Sequence, residues 1–120
     1  MPKLHNDVFD AALNEINDNA TVLHICSSEP ANYAAVSGAS LGTKTLPGFT
    51  GPADGDTSGR KLTVNEITDG SVNATGTATH WAIVDGSRLL AAGALNSSTS
   101  VSSGNTFTLA AFDIEIHDPT

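Results

Sequence analysis

Cysteine and large apolar side chains are scarce in this chain. Its one cysteine, Cys26, excludes an internal disulfide and a zinc site built from cysteines. Only four Phe, one Trp, one Tyr and one Met are present, so a core made mostly of smaller residues removes less apolar surface from water. We therefore expect modest stability for an isolated monomer, with oligomerisation or docking onto a larger assembly supplying further burial.

Positive charge and long apolar runs are scarce as well. Five Lys and Arg against thirteen Asp and Glu give a net charge of −8. Nucleic-acid backbones and anionic membranes both attract concentrated positive charge, so we expect neither as a partner. No apolar run approaches the roughly 20 residues of a membrane span, and the opening residues 1–5 lack the apolar core of a secretory signal. We expect a soluble chain that is made in a cytoplasm.

The length predicts a single domain over residues 1–120, with one modest core. Its first part, residues 1–20, is expected to form an N-terminal arm that contains one short α-helix. This helix is predicted over residues 6–17, with Asn6 as its N-cap. The apolar stripe at helical spacing consists of Val8, Phe9, Ala12, Leu13 and Ile16.

The second part, residues 21–59, is predicted to be one strand followed by a long ordered loop. Residues 21–26 are apolar on both faces, which is typical of a central strand. Beyond residue 29 the pattern contains isolated apolar anchors, and Tyr33 to Val36 are expected to form a short turn of helix. The anchors are Tyr33, Val36, Leu41, Leu46 and Phe49.

The third part, residues 60–117, is predicted to be a β-core rich in hairpins. Turn signals at Thr68–Ser71 and at Asp85-Gly86 are expected to join neighbouring strands. Both faces of the strand at 77–85 are partly apolar, which predicts an internal position. The alternating segments are 60–67, 72–75, 77–85, 88–95 and 106–116.

The last segment changes phase, because Phe107 and Leu109 alternate out of step with Phe112 and Ile114. This change predicts a β-bulge near Ala110 and Ala111. The fold class expected from the whole pattern is mainly β, either an antiparallel β-sandwich or a jelly-roll-like barrel, with the N-terminal helix and the long loop.

No pattern in the chain predicts catalytic, cofactor-binding or metal-binding residues. The four histidines, His5, His24, His80 and His117, lack the spacing of a metal site. His24 and His80 lie on apolar strands that bring them together if the strands pair, but structural histidines with satisfied hydrogen bonds are favoured. No motif places a nucleophile, and Asp54 with Asp56 matches only half of a calcium loop, which favours an ordinary turn. Cys26 is interpreted as a small apolar residue, and Trp81 as a core anchor.

Several motifs together resemble a family of small structural proteins that tailed bacteriophages and related prophages encode. The likeness covers residues 21–118. The motifs are Ser28-Glu29-Pro30 with Tyr33, Leu41-Gly42-Thr43-Lys44, the stretches 52–61 and 67–70, Ala74 to Asp85, and Gly104 to Ile114.

The resemblance implies a virion protein without catalytic residues. Within the virion, capsid decoration (cement) is favoured by analogy with small β-domains that bind the outside of phage shells, often as trimers. This implies the major capsid protein as partner, a homo-oligomer, and a place on the capsid exterior after synthesis in the bacterial host. A tail or head-fibre component is the alternative, and a carbohydrate-binding module that uses Trp81 and Tyr33 is the alternative from another class. An enzyme, with His24 and His80 as acid and base, comes third.

In the decoration hypothesis, contacts to partners come from apolar residues outside the regular strands. The other interpretation of these residues is that they cover the open ends of the β-core. An N-terminal arm also predicts that deleting residues 1–17 leaves the β-domain folded. The predicted contact residues are Val8, Phe9, Leu13, Tyr33, Leu41, Leu46 and Phe49.

Overall fold

A computed structural model describes residues 4–45, 47–55 and 59–116. It contains two helices and nine strands in these ranges, which confirms a mainly β chain with a helix near its N-terminal end. The elements are α1 (Asn6–Asn19), β1 (Val22–Cys26), α2 (Tyr33–Ala39), β2 (Ser40–Thr45), β3 (Phe49–Asp54), β4 (Arg60–Val64), β5 (Ile67–Val72), β6 (Gly76–Val84), β7 (Leu89–Val101), β8 (Thr106–Leu109) and β9 (Phe112–Ile116).

The chain divides into two compact units, each made of segments that are distant in sequence. One unit contains α1, β3, β4 and β9, and the other contains β1, α2, β2 and β5 to β8. The single domain expected over residues 1–120 stays a prediction, because this division does not test whether the two units fold together.

The larger unit is built on a six-stranded antiparallel sheet with the order β7-β6-β1-β2-β5-β8. β1 and β6 are both internal, as their apolar faces predict. The predicted helical turn is confirmed as α2, whose first turn is capped by Asn32. The Asn32 side chain accepts a hydrogen bond from the backbone N–H of Ala35 at 3.0 Å. A buried cluster joins this helix to the sheet and consists of Cys26, Val36, Ala39, Ala82 and Val84.

The smaller unit is built on a three-stranded antiparallel sheet with the order β3-β4-β9. α1 packs against β3 and β4, and its Phe9 and Leu13 are buried. Leu62 and Val64 of β4 are also fully buried, while Lys61 and Thr63 alternate with them and contact Asp113. This alternation is the period of two that a strand with one covered face requires.

The predicted N-cap of α1 is wrong by one residue. Asn6 is the first residue of the helix, and the backbone N–H of Asp7 donates to the ring Nδ1 of His5 at 3.0 Å. His5 therefore takes the capping position, with its ring Nδ1 as the hydrogen-bond acceptor.

The turn predicted at Thr68–Ser71 is also wrong. These residues lie inside β5, and β4 pairs with β3 and β9 instead of forming a hairpin with β5. Gly70 pairs with Phe107 of β8, so a contact from a distant strand overrides the local turn preference of Asp69-Gly70. The hairpin at Asp85-Gly86 is confirmed, since β6 pairs with β7.

The ends of the other predicted segments also differ from the structure. Residues 110 and 111 do interrupt the last segment, but the interruption separates β8 and β9, which belong to different sheets, and is not a bulge within one strand. The long loop predicted over residues 29–59 is wrong as a loop, because its described residues contain α2 and two paired strands, β2 and β3. β7 continues to Val101, six residues beyond the predicted end at residue 95.

Candidate functional site

His24 is held by a hydroxyl that the sequence did not connect with it. Its ring Nδ1 lies 2.8 Å from Oγ of Ser40, whose hydroxyl in turn lies 3.3 Å from the carbonyl oxygen of Gly42. Burial lowers the pKa of His24 below its usual value, which favours the neutral ring at neutral pH. Ser40 stands 16 residues away at the start of β2, so no sequence spacing links it to His24.

His80 lies on the same face of the six-stranded sheet as His24. The pairing of β1 with β6 sets Ala82 opposite His24 and His80 opposite Cys26, so the histidines occupy diagonal positions. Nδ1 of His80 lies 2.8 Å from Oγ1 of Thr79, and the Thr79 hydroxyl donates to the carbonyl oxygen of Ser27 at 3.0 Å. Each histidine thus has a hydrogen-bond partner within the chain, which is the arrangement expected of a structural histidine.

The remaining residues considered as reactive or metal-binding groups are the cysteine, the two loop aspartates and the last histidine. Cys26 is buried, and burial raises the pKa of its thiol to about 11, which keeps it protonated at neutral pH. Oδ1 of Asp54 lies 2.7 Å from Arg60, while Asp56 and His117 lie outside the described residues. Over residues 4–45, 47–55 and 59–116, no three His, Cys, Asp or Glu side chains are grouped so that they could hold a metal ion.

Trp81 is buried, as predicted for a core anchor. It pairs with Gly93 across the β6–β7 ladder, and its indole ring occupies the space beside the Gly93 backbone. The ring is therefore not presented as a flat exposed surface for a sugar, and of the two proposed platforms only Tyr33 is exposed.

The residues predicted as partner contacts divide by burial. Val8 and Tyr33 are 53% and 41% exposed, and Phe49 is half-buried. The buried members are Phe9, Leu13 and Leu41, whose side chains pack inside the chain, and Leu46 lies outside the described residues. The contact assignment itself stays a prediction.

One exposed apolar residue just before α1 was missed by the sequence reasoning. Leu4 is 44% exposed and lies two residues before Asn6, the first residue of α1. The helix buries Phe9 and Leu13 on one side and presents Val8 and Ala12, four residues apart, on another. Val8 and Ala12 belong to the apolar stripe of the sequence, and only the structure shows that they are exposed.

The described basic side chains are all paired with carboxylates. Lys44 lies 2.9 Å from Asp69, and this hydrogen bond lowers the pKa of the Asp69 carboxyl. The remaining pairs are Arg60 with Asp10 and Asp54, Lys61 with Asp113, and Arg88 with Asp85. Together with the net charge of −8, this pairing leaves acidic side chains in excess over the described surface.

Comparisons with known proteins return no match among family models, curated proteins or solved structures. No helix in the described part of the chain is long and apolar enough to cross a membrane.

Proposed function

We propose that this chain is a non-enzymatic structural protein of a tailed-bacteriophage virion, and specifically a capsid decoration protein that binds the outside of the major capsid shell. Its partner in this proposal is the major capsid protein. The motifs over residues 21–118 that resemble phage structural proteins support the virion role. The exposed apolar side of α1 supports a role in assembly.

The observation that carries the proposal is the two-sided use of α1. Burial of Phe9 and Leu13 anchors the helix to its own sheet, and the exposed Val8 and Ala12, four residues apart, form a second apolar surface on the anchored helix. Apolar side chains at the centre of a contact contribute most of its binding free energy when they become buried. A helix held in place on one side and apolar on another is suited to docking against a second protein.

The charge of the chain supports the exterior position. A net charge of −8 and the pairing of the described basic side chains oppose contact with DNA phosphates, which fill the interior of a capsid. The same charge keeps free subunits apart in solution before they bind the shell. An acidic chain is therefore better suited to the outer than to the inner surface.

The experiment that tests the virion role is to locate the chain in purified particles of the phage or prophage that encodes it. Quantitative protein analysis gives the copy number, and electron microscopy gives the position. Many copies distributed over the shell are expected. A few copies at one tail position would replace decoration with the tail or head-fibre role, and absence from the particles would overturn the virion proposal.

The contact surface is tested with shells that lack the chain. Val8→Asn is expected to weaken binding to these shells by about tenfold, because burying a valine contributes about 1.5 kcal/mol. Asp18→Asn, at an exposed position near the other end of α1, is the control and should bind as the unchanged chain does. Equal binding by both variants would remove the α1 surface from the proposal.

A further inference from the structure

Four strands have a paired neighbour on only one side among the described residues: β7 and β8 in the larger sheet, and β3 and β9 in the smaller one. Open edges pair readily with other strands, and proteins usually protect them by shortness, proline or charge. β8 has four residues, β3 contains Pro52, and β9 carries Asp113 and Glu115. β7 has 13 residues and contains neither proline nor a charged side chain, although 15% of the whole chain is charged.

The first half of β7, residues 89–95, has leucine at both ends and alanine at its centre. Its sequence is Leu-Leu-Ala-Ala-Gly-Ala-Leu, and every residue from Ala91 to Ala94 is small. Ala91 to Ala94 pair with β6 in regular register, and the register irregularities fall on either side of this stretch. Ala94 is exposed, and Leu90 and Leu95 are half-buried.

We propose that two copies of this chain pair through residues 89–95 of β7, antiparallel to each other about a twofold axis at Ala92. The pairing joins two six-stranded sheets into one sheet of twelve strands. Leu89 of each copy lies opposite Leu95 of the other, and Ala92 lies opposite its own counterpart. The backbone N–H and C=O groups on the open edge of β7 then gain partners, as they do when a strand is added to a sheet.

The absence of charged side chains from β7 favours a second copy of this chain as the strand that pairs with it. About a twofold axis each residue near the centre faces itself or a close neighbour, so any charged side chain there meets a like charge. A chain with a net charge of −8 therefore self-associates best through a strand that carries no charge. A strand of a different protein does not face a copy of itself, so it pairs equally well with an edge strand that carries charge.

The mass of the purified chain in solution tests the proposal directly, by analytical ultracentrifugation over a range of concentrations. A dimer in equilibrium with monomer is expected. Ala94→Lys places a charged side chain inside the paired segment, opposite the apolar Leu90 of the other copy, and is expected to raise the dimer dissociation constant by about tenfold or more. Ser97→Lys adds the same charge to the same strand outside the segment, and is expected to leave the dissociation constant unchanged.

Three outcomes would overturn the pairing: a monomer at all concentrations, a trimer, or equal effects of the two lysine variants. Both positions are exposed, and circular dichroism verifies that each variant is folded. The mass also distinguishes this twofold pair from the trimer that the phage resemblance implies. The pairing does not depend on the virion role, so each proposal stands or fails by its own experiment.

A cysteine at the axis tests the register. Opposed Cα atoms of an antiparallel pair lie about 4.5–5.5 Å apart, which is within the range that a disulfide spans. Ala92→Cys is therefore expected to form a disulfide-linked dimer under mild oxidation, whereas Ser97→Cys is not. Because Ala92 packs against the cluster that contains Cys26, both cysteine variants are made with Cys26 replaced by serine. A dimer in which Ala92→Cys fails to cross-link would overturn the proposed axis.

Discussion

Gly70 and Phe107 lie directly opposite each other in the β5–β8 ladder, and the Phe107 ring occupies the space that a Cβ atom at residue 70 would fill. A side chain in a strand normally stands above its own Cα, but this ring lies over its neighbour's backbone. The same arrangement occurs at the other end of the sheet, where the Trp81 ring lies beside Gly93. Two of the few aromatic side chains are thus buried against glycines.

Gly70→Ala is expected to lower the free energy of unfolding by about 1–3 kcal/mol, because the added methyl group displaces the buried Phe107 ring. Urea denaturation measures the change. Gly38→Ala is the control: nothing lies within 4 Å of a Cβ at Gly38 in α2, and alanine favours a helix over glycine by up to about 1 kcal/mol. Equal destabilisation by both substitutions would contradict the proposed packing.

Arg60 links α1, β3 and β4 through two carboxylates of unequal exposure. Its guanidinium donates to both oxygens of Asp10, at 2.8 and 3.3 Å, and to Asp54 at 2.7 Å. These hydrogen bonds, that to Asp10 foremost, raise the pKa of Arg60. The Asp10 side chain is 26% exposed and that of Asp54 is 88% exposed.

Asp10→Asn is expected to lower the urea midpoint more than Asp54→Asn, because a two-point contact with a sheltered carboxylate is stronger than one with an exposed carboxylate. Arg60→Lys should also lower it, since an ammonium group cannot reproduce the planar two-point contact. A larger effect from Asp54→Asn would show that Asp10 is not the main partner.

Asp85 predicts a pH dependence of stability. The backbone N–H of Ser87, followed by the Arg88 guanidinium and N–H, donates to this carboxylate and lowers its pKa from 3.8 to about 2. Because the pKa is lower in the folded chain, the ionised group favours folding above about pH 4, and this contribution disappears as the pH falls towards 2.

The difference in urea midpoint between the unchanged chain and Asp85→Asn is therefore expected to be constant near neutral pH and to shrink from about pH 4 to about pH 2. Glu29→Gln removes one negative charge at an exposed loop position and controls for the change in net charge. A difference that grows in acid would contradict the assigned hydrogen bonds.

Burial in α1 predicts that the helix stabilises the fold. Phe9 is 2% exposed and Leu13 is 0% exposed, so replacing either with alanine is expected to lower the free energy of unfolding by about 2–5 kcal/mol. Val8→Ala, on the exposed side, should change it by less than about 0.5 kcal/mol. Denaturation of the three variants measures both effects.

Deletion of residues 1–17 distinguishes more sharply between a loosely attached arm and a helix that is part of the fold. A loosely attached arm predicts that the β-domain stays folded after this deletion, whereas the buried Phe9 and Leu13 predict loss of structure in the unit that contains α1, β3, β4 and β9. An unchanged circular dichroism spectrum of the remaining strands, with an unchanged midpoint, would favour the arm.

Local signals in the sequence determined much of the secondary structure. The period of the first apolar stripe located α1, and apolar residues on both faces identified β1 and β6 as internal strands. The hairpin at Asp85-Gly86 followed from its turn residues, and the structural roles of Cys26 and Trp81 followed from the strands around them. These predictions succeeded because each depends on residues close together in the chain.

Only the tertiary structure decided which strands pair and which side chains are exposed. Gly70 lies in a strand because Phe107 packs over it, and His24 contacts Ser40 because α2 delivers the chain to β2. Val8 belongs to the same apolar stripe as Phe9, yet helix packing leaves it outside. The open edge of β7 likewise depends on strand order. Pairing between distant segments is a property of the packed chain, and a single sequence does not encode it as a local pattern.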